Sequence, residues 1–248
     1  MPQERAEEPA ALKSRGEWAR SAGTVFDWLK TISLALVVFI FVRGMLVEAF
    51  KIPSGSMEGT LLVGDFLLVN KLVYGAEIPL THKRLPAMHA PRRGDVVVFV
   101  YPLDPSKYYV KRVAGIAGDT VAMHDGILVR NGATVREPYV EHTQPGSDPA
   151  DEEFRWQYDF LATSANATER GYHPSRNNWG PIVVPAHHLF MLGDNRDNSQ
   201  DSRYWGFVPD SLVRGRPLFV YYSYAPDSAK AFDFVTRIRW QRLLARIE

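Results

Sequence analysis

The sequence predicts a mainly β fold: one N-terminal transmembrane helix, then an antiparallel β-sheet domain interrupted by an inserted subdomain. Three observations predict it. A single strongly apolar run, Thr31 to Val42, carries no charge and lies near the N-terminus. Behind it come short runs rich in Val, Phe, Tyr and Leu, separated by Asp-Gly and Asn-Gly pairs of the kind that close tight hairpins. Between Thr143 and Gly180 this pattern gives way to Gln, Asp, Glu, Ser, Asn and Trp without a clean period.

Residues 1–24 are polar, with Pro2, Pro9 and charges of both signs, and are expected to form a disordered or loosely helical tail. The apolar trend then runs from Val25 to Phe50, and residues 25–48 are expected to span a bilayer. A span needs about 20 residues, and the uncharged stretch is shorter; Lys30 and Arg43 can snorkel to headgroups, however, and Trp28 suits the interface. A buried helix is the alternative. A cleaved leader fits less well, because acids precede the run and no Ala-x-Ala site follows it. Lys13, Arg15, Arg20 and Lys30 ahead of the span favour a cytoplasmic N-terminus, a bias that Arg43 and Lys51 weaken. The bulk of the chain would then face outward.

Residues 49–142 and 181–248 are expected to form the β domain, with residues 143–180 as an inserted subdomain or long loop. Strands are expected at Phe66–Val69, Val96–Tyr101, Tyr108–Val110, Thr120–Met123, Leu189–Leu192 and Leu218–Tyr222. Asp125-Gly126 and Asn131-Gly132 bracket a further strand at Ile127–Val129. Asn166-Ala167-Thr168 fits a glycosylation acceptor, a triplet frequent by chance. From Phe232 to Ile247, four arginines alternate with large apolar residues, a pattern for a helix lying on anionic lipid or packed on the domain.

Composition excludes several classes of function. Lys and Arg total 29 against 28 Asp and Glu, so the net charge of +1 supplies no general attraction for nucleic acid. With no Cys there is no thiol chemistry, no Cys-ligated zinc and no disulfide. The acid-rich stretch from Gly193 to Gly206 is no calcium loop: begun at Asp194, it would put Arg196 at a ligand position and Trp205 at the closing glutamate. A hydrogen-bonded loop that buttresses a polar site fits it better. No metal or cofactor is expected.

Two residues stand out for chemistry. Pro53-Ser54-Gly55-Ser56-Met57 places a serine on a tight loop directly after the apolar segment, where a membrane would end. It lacks the glycines of a hydrolase elbow. Such a serine needs a base. The histidines at 82, 89, 124, 142, 173, 187 and 188 sit in no pattern that marks a triad partner, and His187-His188 reads as the polar start of a strand. The other option is a lysine whose pKa is lowered by burial, and Lys111 is the best placed. It lies in Tyr108-Tyr109-Val110-Lys111-Arg112-Val113, where alternation puts it on one face with Tyr109 and Val113. A strand lysine with its head in solvent is the plainer reading of that residue alone.

Taken together and in order, Phe50 to Met57, Gly64 to Lys71, Arg93 to Phe99, Tyr109 to Val113, Gly118-Asp119 and Gly193 to Pro209 resemble bacterial type I signal peptidases, the Ser-Lys proteases of the leader peptidase family. The resemblance runs from Trp28 to about Tyr221, apart from the insertion. It implies Ser56 as nucleophile and Lys111 as general base, with Ser54 helping to hold the oxyanion and Ser199 orienting the lysine amine. It also implies Asp201 and Arg203 as a supporting ion pair, and Phe50, Ile52, Pro53, Met57, Tyr109 and Val110 as the substrate pockets. The activity implied is removal of signal peptides from exported pre-proteins after Ala-x-Ala, by an acyl-enzyme route. The implied protein is a monomer, single-pass in the bacterial cytoplasmic membrane with its catalytic domain on the outer face; its partners are signal peptides and the lipid bilayer, without nucleic acid. A relative devoted to one pilus or conjugation precursor, or a silent peptide-binding domain, are the competing readings. At Glu58-Gly59-Thr60 the chain departs from the family's usual proline before the threonine, and a looser loop after Ser56 is the expectation.

Overall fold

The computed structural model describes residues 10–78, 81, 83–144, 146–162, 171–226 and 233–247. His82 and the Asn166–Thr168 triplet lie outside them. The chain divides into two compact units, Met1–Gly44 and Met45–Glu248.

The described part of the first unit is one helix, α1 (Ala10–Phe41), which widens into a π-type turn at Val42–Leu46. Large apolar side chains along its second half, among them Leu29, Ile32, Leu36, Phe39 and Phe41, are exposed. Among the described residues no helix is long and apolar enough to cross a membrane.

The second unit is antiparallel β. Its larger sheet has the order β1 (Val47–Lys51), β2 (Asp65–Asn70), β11 (Val213–Ser223), β3 (Val96–Val100), β4 (Tyr108–Ile116), β9 (His188–Leu192) and β10 (Val208–Pro209). The smaller sheet has the order β7 (Ala133–Thr134), β6 (Ile127–Arg130), β5 (Thr120–His124) and β8 (Trp179–Val183). The hairpins fall where the turn residues put them: Asp125 and Gly126 take φ of 50° and 79°, and Asn131 and Gly132 take 52° and 78°.

Strand β3 is buried on both faces, and its alternation divides the core. Val96 and Val98 pack with Ile52, Met57, Leu61, Leu67, Val69 and Val220. Val97 and Phe99 pack with Val113, Met191, Val208 and Val213 on the opposite face. A third cluster of Val121, Met123, Trp179, Ile182 and Phe190 joins the two sheets. Each of these fully buried side chains contributes about 1.5–3 kcal/mol over an exposed one.

Two regions differ from the sequence reading. Val47 and Glu48, expected at the end of the helix, belong to strand β1, whose backbone pairs with β2 from Val47↔Asn70 to Lys51↔Phe66. The C-terminal stretch forms only one turn, α3 (Asp233–Thr236), and a 3₁₀ turn at Trp240–Arg242; otherwise it runs beside β11 through bridges at Tyr224↔Ile238 and Phe219↔Arg246. The reason is in its arginines. Arg242 pairs with the buried Asp65 carboxylate at 2.6 Å and also donates to Thr60 O, Arg239 donates to Val63 O, and Ile247 enters the core. Residues committed to those partners cannot form one face of a lipid-bound helix.

Candidate active site

Three segments converge on one cleft. The first follows β1 as a succession of turns. Glu58 N donates to Gly55 O at 3.0 Å, and Thr60 N and Leu61 N donate to Met57 O, so the loop coils tightly around Ser56. Met57 and Leu61 anchor it in the core. Gly59 takes φ of +100°, a conformation that proline cannot adopt, and a Cβ there would come within 2.7 Å of Tyr139 O. The departure at this position therefore does not loosen the loop; it selects another packed conformation.

The second segment is β4, which is longer than expected because its charged residues point to buried partners. Lys111 pairs across β3 with Val97 and shares the face of Tyr109 and Val113. Its Nζ donates to Ser56 Oγ at 2.5 Å, in a site where Lys111 is 4% exposed and Ser56 is buried. Burial pushes the Lys111 pKa down from 10.5 to about 8; Asp201 and Asp194 pull the other way and Arg203 adds to the lowering. The amine is thus poised near neutrality. Arg112, on the opposite face, holds Asp194 through two bonds of 2.8 and 2.7 Å and lies 3.6 Å from the centre of the Tyr139 ring.

The third segment follows β9. Asp201 caps the short helix α2 (Ser202–Trp205) and accepts Arg203 Nε and Nη2 at 2.8 Å each, with Gly193 N also donating to it. Burial works against the Asp201 charge, yet the Arg203 guanidinium overrides it and holds the pKa below the ordinary carboxylate value. Arg203 Nη2 also donates to Arg196 O at 2.8 Å, so the pair braces the third segment from within. Ser199 Oγ is buried and makes no bond to the Lys111 amine; it stands near the Asp201 carboxylate, which it helps to keep charged. Ser54 Oγ lies 3.5 Å from Ser56 Oγ.

A cleft of about 360 Å³ opens at Ser56, lined by Phe50, Ile52, Pro53, Met57, Tyr109 and Val110 together with Ser54, Lys111, Tyr108 and Lys51. Phe50 and Tyr108 meet with ring centres 5.3 Å apart. The cleft also includes Asn198 and Gln200, which sequence reasoning missed because nothing in the acidic loop marks which side chains face outward. Among the described residues no histidine bonds Ser56 Oγ; His187 lies 3.4 Å from Asp210, and His188 bonds Ala186 O at the start of β9.

The model of the family described as signal peptidase, peptidase S26, matches residues 25–222. The chain belongs to that family. A signal peptidase I of Pseudomonas aeruginosa is 41% identical over 214 residues, covering 81% of this chain and 73% of that protein. The signal peptidase I of Pseudomonas fluorescens is 39% identical over 209 residues, covering 80% and 72%. One from Aquifex aeolicus is 32% identical over 248 residues, covering 86% and 92%. A solved signal peptidase I structure from Enterococcus faecalis is 26% identical, covers 52% of this chain and 98% of that one, and has a TM-score of 0.34. As a member of the S26 signal peptidases the chain is a peptidase, a hydrolase of peptide bonds.

Proposed function

We propose that this peptidase removes N-terminal signal peptides from exported pre-proteins with a Ser56–Lys111 dyad, cutting after small residues in an Ala-x-Ala pattern. The observation that carries the reading is the buried Lys111 amine donating to Ser56 Oγ at 2.5 Å. A lysine in water is a cation at neutral pH and accepts nothing; one with a pKa of about 8 is partly neutral and can take a proton.

In the first half-reaction Lys111 Nζ takes the Ser56 proton while Oγ bonds to the scissile carbonyl carbon. The oxyanion is held by Ser56 N–H and Ser54 O–H, each worth about 3–4 kcal/mol of barrier. Collapse breaks the C–N bond, and the Lys111 ammonium returns the proton to the departing amine. Water, deprotonated by the same amine, then attacks the acyl carbon; the C–Oγ bond breaks, the Lys111 ammonium returns the proton to Ser56 Oγ, and the signal peptide leaves with a new carboxylate. Ser199, with its buried hydroxyl, is assigned to the amine as an acceptor that steadies its protonated form. Asp201 and Arg203 keep the third segment in shape.

Two features support substrate choice. Strand β1 stands at the sheet edge, so an extended peptide can add beside it. The side chains of Phe50, Ile52, Pro53, Met57, Tyr109 and Val110 narrow the cleft beside Ser56, which favours Ala and excludes larger residues by clash. For location, the reading assigns the exposed apolar half of α1 to the bilayer of a bacterial cytoplasmic membrane, the tail 1–24 to the inner face and the β unit to the outer face, as a single-pass monomer. Residues 143–180 are assigned to an accessory subdomain.

Ser56→Ala and Lys111→Ala are each expected to abolish cleavage of a purified pre-protein, whereas His187→Ala and His188→Ala retain most of it. Retained turnover in Lys111→Ala, with loss in either histidine variant, overturns the dyad. Carbonate extraction of full-length protein from membranes tests the anchor: recovery in the soluble fraction contradicts it.

A further inference from the structure

We propose that Asn195 is a positioning residue that fixes the Gly55–Ser56 peptide so that the Ser56 N–H faces the cleft, a role that rests on the dyad reading above. Asn195 is fully buried, and it bonds the nucleophile loop at three points. Its backbone N–H donates to Ser56 O at 3.2 Å. Its Nδ2 donates to Gly55 O at 3.2 Å and to Glu58 Oε2 at 3.3 Å. One residue thus ties down the carbonyls on both sides of the Ser56 Cα, Gly55 O through its side chain and Ser56 O through its backbone N–H.

The consequence follows from peptide geometry. A trans peptide is planar, with its N–H pointing opposite to its C=O. Holding Gly55 O toward Asn195 therefore turns the Ser56 N–H the other way, and anchoring Ser56 O removes the remaining rotation about the nucleophile. An oxyanion donor is effective when it is aimed before the charge develops. Glycine alone would leave that peptide free to flip.

The Glu58 carboxylate makes the clamp more demanding. It lies against Gly55 so closely that a Cβ at that position would come within 2.9 Å of Oε2. A second negative charge forming on the oxyanion is opposed by an untethered carboxylate nearby, and Asn195 Nδ2 holds both Glu58 and Gly55 O. Asn195 is itself fixed. Thr143 Oγ1 donates to its Oδ1 at 2.9 Å, which settles the amide orientation, and its backbone bridges to Glu141, with Glu141 N bonded to Asp194 O and Arg196 N to Glu141 O.

The test is Asn195→Asp in the full chain, assayed on a peptide carrying an Ala-x-Ala site. The change keeps the backbone bond to Ser56 O and the acceptor for Thr143, but turns the Nδ2 donor into a carboxylate oxygen facing Glu58; Asn195→Leu, which removes the donor without adding charge, is assayed beside it and is expected to show the same loss of kcat. The expected result is a fall in kcat of about 10²- to 10³-fold, the loss typical of one oxyanion donor, with KM within about threefold and the acidic limb of the pH profile unmoved. Ser54→Ala, costly in the parent, is expected to cost less than about threefold in the Asn195→Asp background, because the hole it serves is already misaligned. Where Asn195→Asp melts below the assay temperature, Asn195→Ser is read in the same way. A kcat within about fivefold of the parent, a purely KM effect, or an undiminished Ser54→Ala penalty overturns the proposal. Cleavage surviving Ser56→Ala overturns the dyad instead, and the two failures are distinct.

Discussion

Lys111 and Arg112 are neighbours on β4, 4% and 3% exposed, and each carries a positive charge in water, yet the two faces of the strand treat them in opposite ways. Arg112 meets a carboxylate that matches its fork, with further bonds to Gly94 O and Thr60 Oγ1. Lys111 meets a hydroxyl, which offers no charge to balance its own. A buried cation with full partners remains a cation and holds the structure together. One without them is pushed toward neutrality, and a neutral amine is a base. The difference teaches where to look for chemistry in a buried polar cluster: at the group whose charge is left unanswered.

The comparison breaks first if removing Arg112 is harmless. Arg112→Met leaves the Asp194 carboxylate buried with Thr60 Oγ1 donating to it but no cation beside it, and should cost about 3–5 kcal/mol of unfolding free energy by denaturant titration. A loss below about 1 kcal/mol would mean the pair is no better answered than Lys111.

Lys111→Met should do the reverse. The folded-state pKa, about 8, lies below the unfolded value of 10.5, so above 10.5 neither state is charged and the lysine costs nothing. As pH falls from 10.5 to 8 the unfolded chain takes up a proton that the folded chain refuses, and stability is lost; below 8 the penalty is complete. Lys111→Met is therefore expected to be more stable than the parent by about 3 kcal/mol at pH 7, with the gap closing as pH rises from 8 to 10.5, while cleavage disappears. A destabilised variant at pH 7 would show that the amine is paired after all.

The same value sharpens the comparison kinetically. The rate must rise with pH as Lys111 loses its proton, about tenfold per unit below pH 8, and level off above it. A histidine base would instead give a limb near its ordinary value of about 6.5. The limb should persist unchanged in His187→Ala and His188→Ala.

Much of the scaffold could be read from the chain because alternation and turn residues are local signals. Strands β2, β3, β5, β6 and β9 lie within a residue or two of their expected positions. Strand β1 was hidden because Val47, Ala49 and Phe50 continue the apolar run of the helix, and β8 because Gly180-Pro181 lies inside it, where a proline argues against a strand. The site was less legible for a physical reason. Ser56 and Lys111 are 55 residues apart, so no periodicity joins them; residue chemistry offered Lys111 as a candidate base, and only resemblance to a family lifted it above the plainer reading of a solvent-facing strand lysine. That resemblance also covered Gly193 to Pro209, yet there Asn195 was one polar residue among many; its contacts with the Ser56 loop come from tertiary packing alone.

The smallest effect is expected at Gly59, where the two kinds of signal disagree. The family resemblance leads to the expectation of a proline at this position, but the loop here has a positive φ and no room for a Cβ: Tyr139 O would lie 2.7 Å away and Glu141 Cγ 2.9 Å. Gly59→Ala should cost about 1–3 kcal/mol from backbone strain, and Gly59→Pro more, since its ring locks φ near −65°. Tyr139 is also the ring that lies over Arg112, so a shift of its backbone would disturb the answered cation and leave the bond between Lys111 and Ser56 in place. Stability should therefore fall in Gly59→Ala while the acidic limb stays at about pH 8. A limb that moved with the mutation would mean that the two faces of β4 are not independent, and that the lysine owes its low pKa to the same packing that satisfies the arginine.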